Sequence, residues 1–302
     1  MMQTAFVYPG FKTFYSRTGY FSEQYFKFRV RRYLFRREVA AFEQFVNSLA
    51  AYRSFFADYP SETYPLLHTF IDKRFHAGQR LAAMQYDLQT ALQTFGKEVW
   101  QKMCRSEAVL LADLSEELGV WLHRNDNCTD EGWWAVSLRN SDGIRLYSAT
   151  FAFVPDKRLL IASVQGPAGE QSRETVRALT KQLHGLRPQQ LLPQVVQQLA
   201  VLWRMNGVVG ISQDNQVKLR WKLKKRVTMN YNDFWQEAQA VRGADGYWHL
   251  PECAVRKSEA EIESKKRSMY RKRYAMLDGM FGQMETNCSL LFVVEERFEY
   301  SV

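Results

Sequence analysis

Five short segments rich in apolar and aromatic residues follow one another between residues 108 and 164. They are Ala108–Asp113, Gly119–Arg124, Gly132–Asn140, Ile144–Val154 and Arg158–Val164. Turn-forming residues separate them, as in Asn140-Ser141-Asp142-Gly143. Short strands joined by tight turns pair with their sequence neighbours, so this pattern predicts an antiparallel meander.

The end of the meander continues into Leu159–Ser212, whose order predicts a strand, a polar turn, two helices and a buried strand. The turn is Gln165–Gly169, and Ser172 or Glu170 is the expected cap of the helix that follows. Gly185 is expected to end that helix in the left-handed conformation. We therefore expect the functional centre of the chain in this segment.

The remaining patterns are mainly helical. Apolar spacing predicts one or two helices over residues 24–58, a helix over Gly78–Met103, and helices over Tyr231–Gln239 and Glu259–Leu277. Val217–Val227 and Leu290–Phe298 are predicted as strands. The predicted fold class is α+β, with N-terminal helices followed by a mixed, mostly antiparallel sheet flanked by helices. Residues 1–105 form the helical region and 106–302 the α+β core, in one continuous unit.

The charge of the chain indicates an anionic partner. Its formal net charge is +9, which favours nucleic acid, an anionic membrane surface or a phosphate-rich small molecule. No secretory signal and no apolar stretch near the roughly 18 residues of a transmembrane helix is visible, so a cytoplasmic location is expected, with peripheral contact to the inner membrane as an option. The cysteines form no CxxC pair, and no metal site is predicted.

Two clusters of cations are candidate sites for an anionic ligand or substrate. Lys218, Arg220 and Lys222 alternate on one face of the predicted strand, and Lys265, Lys266, Arg267, Arg271 and Arg273 lie on one predicted helix. The Arg-rich segment 27–37 combines cations with aromatic residues in the same way. A solvated surface explains these patterns equally well. No helix-turn-helix, RNP or zinc-finger signature is present, so sequence-specific nucleic-acid binding is not expected.

Several ordered blocks resemble a known family. They are Ser163-Val164-Gln165-Gly166-Pro167, the run from Leu179 to Pro188, Tyr231-Asn232-Asp233-Phe234-Trp235, Leu250-Pro251 and the run from Ser264 to Tyr274. Together they resemble the VirK/YbjX family. This resemblance implies an association with virulence of Gram-negative enteric bacteria, with envelope homeostasis and with resistance to cationic antimicrobial peptides. It implies no established reaction.

The order of elements also resembles the GCN5-related N-acetyltransferase architecture, in which the turn after the fourth strand binds the pyrophosphate of coenzyme A. The resemblance implies a cofactor site for a coenzyme A thioester at Val164, Gln165, Gly166, Ala168 and Gly169, with Arg187 as a side-chain ligand. Two helices instead of one follow the turn, and Pro167 removes an N–H donor. A plain strand-to-helix connection remains an alternative.

Two residues are candidate catalysts. In the acetyltransferase interpretation, Tyr231 protonates the departing thiolate. The alternative is a helix start capped by Asn230 or Asn232. His184 is the second candidate, and the alternative for it is a residue at a helix end that interacts with the last carbonyls and the helix dipole.

Two functions therefore remain open. The first is an acyl- or acetyltransferase-like protein that transfers from a donor linked to coenzyme A or a carrier to an envelope-related or peptide acceptor. The alternative is a non-enzymatic, basic peripheral protein that binds anionic lipid or a partner at the inner membrane. Non-specific RNA binding is a third, weaker option. Motifs of hydrolases, zinc proteases, P-loop proteins and kinases are missing from the sequence.

Overall fold

The computed structural model describes residues 5–167, 169, 171–219 and 229–291 of the chain. Its α-helices are Phe11–Phe14 (α1), Glu23–Leu34 (α2), Arg36–Ser48 (α3), Ala50–Ala57 (α4), Ala77–Cys104 (α5), Ser172–Gln182 (α6), Pro188–Leu202 (α7), Tyr231–Glu237 (α8) and Arg267–Leu291 (α9). Its strands are Val109–Ser115 (β1), Leu118–Arg124 (β2), Trp134–Asn140 (β3), Arg145–Val154 (β4), Arg158–Gln165 (β5), Gly207–Gly210 (β6), Val241–Arg242 (β7) and Trp248–His249 (β8). Its 3₁₀ segments include Pro60–Leu67, Thr129–Glu131 and Gln213–Asn215.

The described strands form one sheet in the order β1-β2-β3-β4-β5-β6-β8-β7. The first five strands pair antiparallel with their sequence neighbours, which confirms the predicted meander. β6 lies parallel to β5, because the helices α6 and α7 connect them. The fold class is therefore α+β, with N-terminal helices and a mixed, mostly antiparallel sheet flanked by helices, as the sequence predicted.

The N-terminal helices are more divided than the sequence predicted. Three helices, α2, α3 and α4, occupy residues 24–58. The Ser22 side chain accepts a hydrogen bond from the Tyr25 N–H and so begins α2. Extended backbone at Leu49 separates α3 from α4. The predicted helix over Gly78–Met103 is present as α5, and Gly96 kinks it with a φ of 66°.

The N-terminal helices and the sheet share one hydrophobic core. The Phe55 ring on α4 lies 5.9 Å from that of Trp133 and 5.3 Å from that of Trp134. A buried ion pair joins the same parts, with Arg124 on β2 lying 2.6 Å from a carboxylate oxygen of Glu62. Loss of one partner would leave the other charge buried and unpaired, so this pair opposes separation of the helices from the sheet.

Helix α9 covers the edge strand β1. The Gln283 amide donates to the Asp113 carbonyl at 3.0 Å and accepts from the Asp113 N–H at 2.9 Å. These bonds occupy backbone groups that an edge strand otherwise offers to another chain. Because α9 continues to Leu291, the predicted strand Leu290–Phe298 is wrong at its first two residues. Its residues 292–298 lie outside the described residues.

Two other local predictions are corrected. Val217 and Lys218 form a turn rather than the start of the predicted strand Val217–Val227, because the Gln216 side chain accepts the Lys218 N–H at 2.5 Å. Residues 220–227, including Arg220 and Lys222, lie outside the described residues. Helix α6 has Gln171 at its N-cap without a side-chain bond, so Ser172 is inside the helix and does not cap it. Glu170 lies outside the described residues.

Candidate functional site

The parallel strands β5 and β6 run together over a short stretch and then separate. Arg158–Ile161 pair with Gly207–Gly210, and a last bond joins the Ile211 N–H to the Ile161 carbonyl at 3.0 Å. Farther along β5, the Val164 N–H donates to the Tyr231 hydroxyl at 3.1 Å. A gap in strand pairing therefore opens at the carboxyl end of β5, the kind of place where sheets with parallel strands bind ligands.

Tyr231 occupies this gap from the first turn of α8. The Asn230 side chain accepts the N–H groups of Asn232 and Asp233, so Asn230 is the N-cap of the helix. Gln213 accepts the Tyr231 N–H at 2.7 Å. Burial raises the pKa of the Tyr231 hydroxyl, and the nearby carboxylate of Glu131 raises it further. The phenol therefore stays protonated at neutral pH.

A buried carboxylate, Glu131, lies at the same gap. It ends the 3₁₀ segment Thr129–Glu131 and is 1% exposed. Its Oε2 accepts from Ser163 Oγ at 2.9 Å and from Gln165 Nε2 at 2.7 Å, and its Oε1 accepts from Gln216 Nε2 at 2.9 Å. These bonds tie the 3₁₀ segment to β5 and to the segment that follows β6.

The protonation of Glu131 is set by opposing influences. Burial raises the pKa of its carboxyl, whereas the Lys218 ammonium, 3.5 Å away, and hydrogen bonds from Ser163 and Gln216 lower it. The net pKa lies above the ordinary value for glutamate. A carboxyl shifted in this direction is suited to accept a proton near neutral pH.

The polar turn after β5 lies close to the start of α7. A Cβ on Gly166 would stand 2.4 Å from Cζ of the Tyr147 ring, so the turn needs glycine here to pass the ring. The Tyr147 hydroxyl in turn donates to Gln189 in the first turn of α7 at 3.3 Å. Tyr147 thus links the turn to a helix N-terminus, where backbone N–H groups and the helix dipole favour anions.

The other residues predicted to bind the cofactor surround this link. Gln165 is half-buried, because its side chain reaches Glu131 and Asn127. Gly169 has a φ of 96°, and Ala168 lies outside the described residues. Arg187 is the N-cap of α7, has an extended backbone and is exposed. Its guanidinium is therefore accessible to an anion at the helix start.

His184 lies away from the Glu131 carboxylate, in an open groove of about 700 Å³ lined by residues of the β1–β2 hairpin, the end of α6 and α9. The φ of His184 is 50° and that of Gly185 is 78°, so both residues lie in the left-handed region. The His184 carbonyl accepts two hydrogen bonds from the guanidinium of Arg273, at 3.1 and 3.0 Å. The structure therefore brings His184 together with Arg273 and not with Tyr231.

The predicted cation cluster of the C-terminal helix is divided among local contacts. Lys265 and Lys266 each lie near Glu263, at 3.4 and 3.3 Å, and Arg267 donates to the Ile262 carbonyl at 3.2 Å. Arg273 is engaged by His184, whereas Arg271 is exposed. Lys218 belongs to the Glu131 site instead.

Sequence reasoning missed three members of this site: Glu131, Ser163 and Gln216. Each is almost fully buried, with no more than 1% exposed. The only local signal for Glu131 was the pair Asp130-Glu131 beside a glycine and two tryptophans, a pattern that also fits an ordinary turn. Ser163 on β5 and Gln216 after β6 both reach Glu131 from distant parts of the sequence, which no local pattern reveals.

Other types of site lack support in the described part of the chain. No three His, Cys, Asp or Glu side chains gather there in an arrangement for a metal ion. The four cysteines are unpaired. Within the same residues, no helix combines the length and the apolar character needed to span a bilayer.

Comparison with known proteins covers most of the chain. The family model described as "Protein of unknown function (DUF535)" matches residues 20–286. An uncharacterized protein of Haemophilus influenzae is 36% identical over 249 residues, which are 82% of this chain and 85% of that protein. The "Membrane protein LapB" of Mannheimia haemolytica is 32% identical over 222 residues, 72% of this chain and 96% of that protein. The uncharacterized protein YbjX of Escherichia coli is 29% identical over 218 residues, 69% of this chain and 66% of that protein. No solved structure matches the chain.

Proposed function

The chain belongs to the DUF535 family of proteins of unknown function, and we propose that it is an acyltransferase-like protein acting at the gap between β5 and β6. Its donor would be an acyl thioester of coenzyme A or of a carrier. The observation that supports this most strongly is the separation of two parallel strands at Ile161, with a buried tyrosine and a buried carboxylate in the gap.

The donor is proposed to bind along the carboxyl end of β5. Its phosphate groups would lie at the turn Gln165–Gly169 and the N-terminus of α7, where the exposed Arg187 and the positive end of the helix dipole attract anions. Gly166 supports this placement because it keeps the turn close to Tyr147 and thereby close to α7. The thioester would then point into the strand gap.

The side chains in the gap supply both halves of a proton transfer. A nucleophilic nitrogen or oxygen of the acceptor attacks the thioester carbonyl, and the new bond to carbon replaces the carbon–sulfur bond. Glu131 takes the proton that the acceptor loses, which its raised pKa favours. Tyr231 gives its hydroxyl proton to the departing thiolate. Afterwards Glu131 releases its proton to solvent and Tyr231 regains one, which restores both side chains.

The acceptor is proposed to be an envelope-linked molecule or a peptide. One relative carries the name "Membrane protein LapB", which supports a role close to a membrane. The proposed location is the cytoplasm, with contact to the inner membrane, and the proposed biological context is virulence or resistance to cationic antimicrobial peptides.

Calorimetric titration of the folded, full-length protein with acetyl-coenzyme A and with a long-chain acyl-coenzyme A tests this function. Binding of either thioester, competed by free coenzyme A, is the expected result. Absence of heat with both ligands, while circular dichroism shows a folded protein, would remove the coenzyme A donor from the proposal.

A further inference from the structure

Exposed large apolar side chains are concentrated near the start of the described chain. Six of the twelve that the described residues contain fall between residues 20 and 34. They are Tyr20, Phe21, Phe26, Val30, Tyr33 and Leu34. Scattered apolar residues are normal on a protein surface, whereas a contiguous group of this kind marks an interaction site.

Helix α2 presents four of these residues to solvent on one side. Phe26, Val30, Tyr33 and Leu34 follow one another at i, i+4, i+7 and i+8, so they form a single stripe. Phe28, on the opposite side, is 4% exposed and lies 5.7 Å from the ring of Phe11. The helix is therefore apolar both towards the protein and towards solvent.

Cations surround the exposed stripe. Residues 17–37 contain seven lysines and arginines and one carboxylate, that of Glu23. Arg31 and Arg32 are half-buried and donate to groups of the protein, whereas the other five cations are exposed. Lys27 and Arg29 are exposed on either side of the stripe, and the Arg36 guanidinium lies 4.9 Å above the ring of Tyr33. Long basic side chains beside an apolar stripe can reach head groups while the stripe enters the lipid.

We propose that this surface, formed by Tyr20, Phe21 and the exposed side of α2, docks on an anionic phospholipid bilayer. The helix would lie in the plane of the interface, with Phe26 and Leu34 entering the acyl boundary. A second copy of the chain fits less well, because a two-fold contact would place the two sets of cations against each other. This docking does not depend on acyl transfer, and it assigns lipid binding to a surface distinct from the Lys265–Arg273 segment.

Vesicle flotation with the full-length protein tests the surface. We expect flotation with vesicles of phosphatidylcholine and phosphatidylglycerol but not with phosphatidylcholine alone, and a steep loss of binding as salt is raised. The double variant Phe26→Gln/Val30→Gln should bind at least about tenfold more weakly, because interfacial binding scales with the apolar area inserted. The matched control is Ile144→Gln/Val241→Gln, whose side chains are 58% and 71% exposed outside this surface, and it should bind like the wild type.

Folding and self-association are checked on the same samples. Both double variants should keep the wild-type melting temperature, because the replaced side chains are exposed. Equal flotation of the wild type and Phe26→Gln/Val30→Gln would overturn the proposal. It would also be overturned by a dimer in sedimentation experiments without lipid that this variant dissociates, since a second copy would then be the occupant. Acyl-coenzyme A binding that is unchanged in the variant would separate this surface from the proposed active site.

Discussion

The Tyr231 hydroxyl accepts the backbone N–H of Val164 at 3.1 Å, and this bond joins the first turn of α8 to β5 beyond the point where β6 leaves it. The Tyr231 hydroxyl thus accepts a backbone N–H that would donate to a neighbouring strand in an unbroken sheet. The phenol is held at the gap, and Glu131 approaches the same strand through Ser163 and Gln165. The gap therefore holds a protonated phenol and a buried carboxylate side by side along β5.

Tyr231→Phe should affect both stability and the proposed reaction. The Val164 N–H would lose its partner in a buried place, which lowers the free energy of unfolding by about 1–3 kcal/mol. Loss of a general acid should slow thiol release from the acyl donor by about 10²–10⁴-fold. Denaturant unfolding and a thiol-release assay measure the two effects.

Tyr247→Phe is the matched control, since it removes a hydroxyl that donates to Asp72 at 2.8 Å, and it should lower stability without slowing thiol release. Equal rates for both variants would contradict a role of Tyr231 in proton transfer.

Glu131→Gln should abolish the acidic limb of the pH–rate profile. Since burial raises the pKa of Glu131, the wild-type rate should fall as pH decreases through that raised pKa and the carboxyl becomes protonated. The glutamine variant has no carboxyl to titrate, so its residual rate should lack this limb. Glu62→Gln is the control, because burial also raises the pKa of Glu62, whose partner is Arg124. This variant should be less stable, because Arg124 loses its buried partner, but it should keep the acidic limb of the profile. A rate profile of Glu131→Gln that matches the wild type would exclude Glu131 as the base.

Gly166→Ala should destabilise the turn after β5. The added Cβ would meet the Tyr147 ring at 2.4 Å, and such overpacking costs about 1–3 kcal/mol. In a double-mutant cycle with Tyr147→Ala, the two costs should not add, because the second change removes the atoms that collide. Gly282→Ala in α9 has open space around its Cβ and is the control without a collision; it should raise stability by about 0.5–1 kcal/mol, because alanine favours the helix. Additive costs in denaturant unfolding would show that the ring does not restrict this turn.

Asp87→Asn should alter how stability depends on pH. The Asp87 carboxyl accepts from Trp134 Nε1 and from the Phe153 N–H, both at 2.8 Å, and burial raises its pKa to about 8. The folded state therefore keeps a proton that the unfolded state releases above about pH 4. The stabilisation from this proton is complete below that pH and is lost as pH rises through about 8, with a slope of about 1.4 kcal/mol per pH unit between.

Chemical denaturation of the wild type and of Asp87→Asn at pH 5 and pH 8 measures this dependence. The unfolding free energy of the variant relative to the wild type should increase from the lower to the higher pH. Burial also lowers the pKa of His123, to about 4, but that titration is common to both proteins and cancels in the difference. Parallel curves would mean that Asp87 is ionised in the folded protein.

The sequence predicted the sheet better than the site. Short apolar and aromatic segments separated by turn residues located β1 to β5 within two residues of their ends, because each strand of a meander is specified by local signals. The ordered blocks from Ser163 to Tyr274 identified the family, which the relative YbjX confirms. The predicted helix Glu259–Leu277 begins only at Arg267, after two 3₁₀ segments, and continues to Leu291. Its length depends on its packing against β1, which lies far away in the sequence.

The site was harder to predict because its members come from distant segments. Tyr231 and the turn Gln165–Gly169 were recognised from local patterns. Glu131 and Gln216 meet only because the chain reverses after β6, and Gln216 holds the Lys218 N–H in a turn where alternation predicted a strand. His184 was a candidate catalyst because of its imidazole. In the structure its backbone carbonyl accepts the hydrogen bond from Arg273.

Hydrogen exchange followed by mass spectrometry, with and without acyl-coenzyme A, tests the location of the proposed donor site most directly. Slower exchange in peptides covering residues 163–172 and 184–190, with no change in residues 20–37, is the predicted result. Arg187→Ala should weaken this protection, whereas Arg242→Ala, a change at an exposed arginine on β7, should leave it unchanged. Protection confined to other parts of the chain, in a sample that binds the thioester, would contradict a donor site at the end of β5.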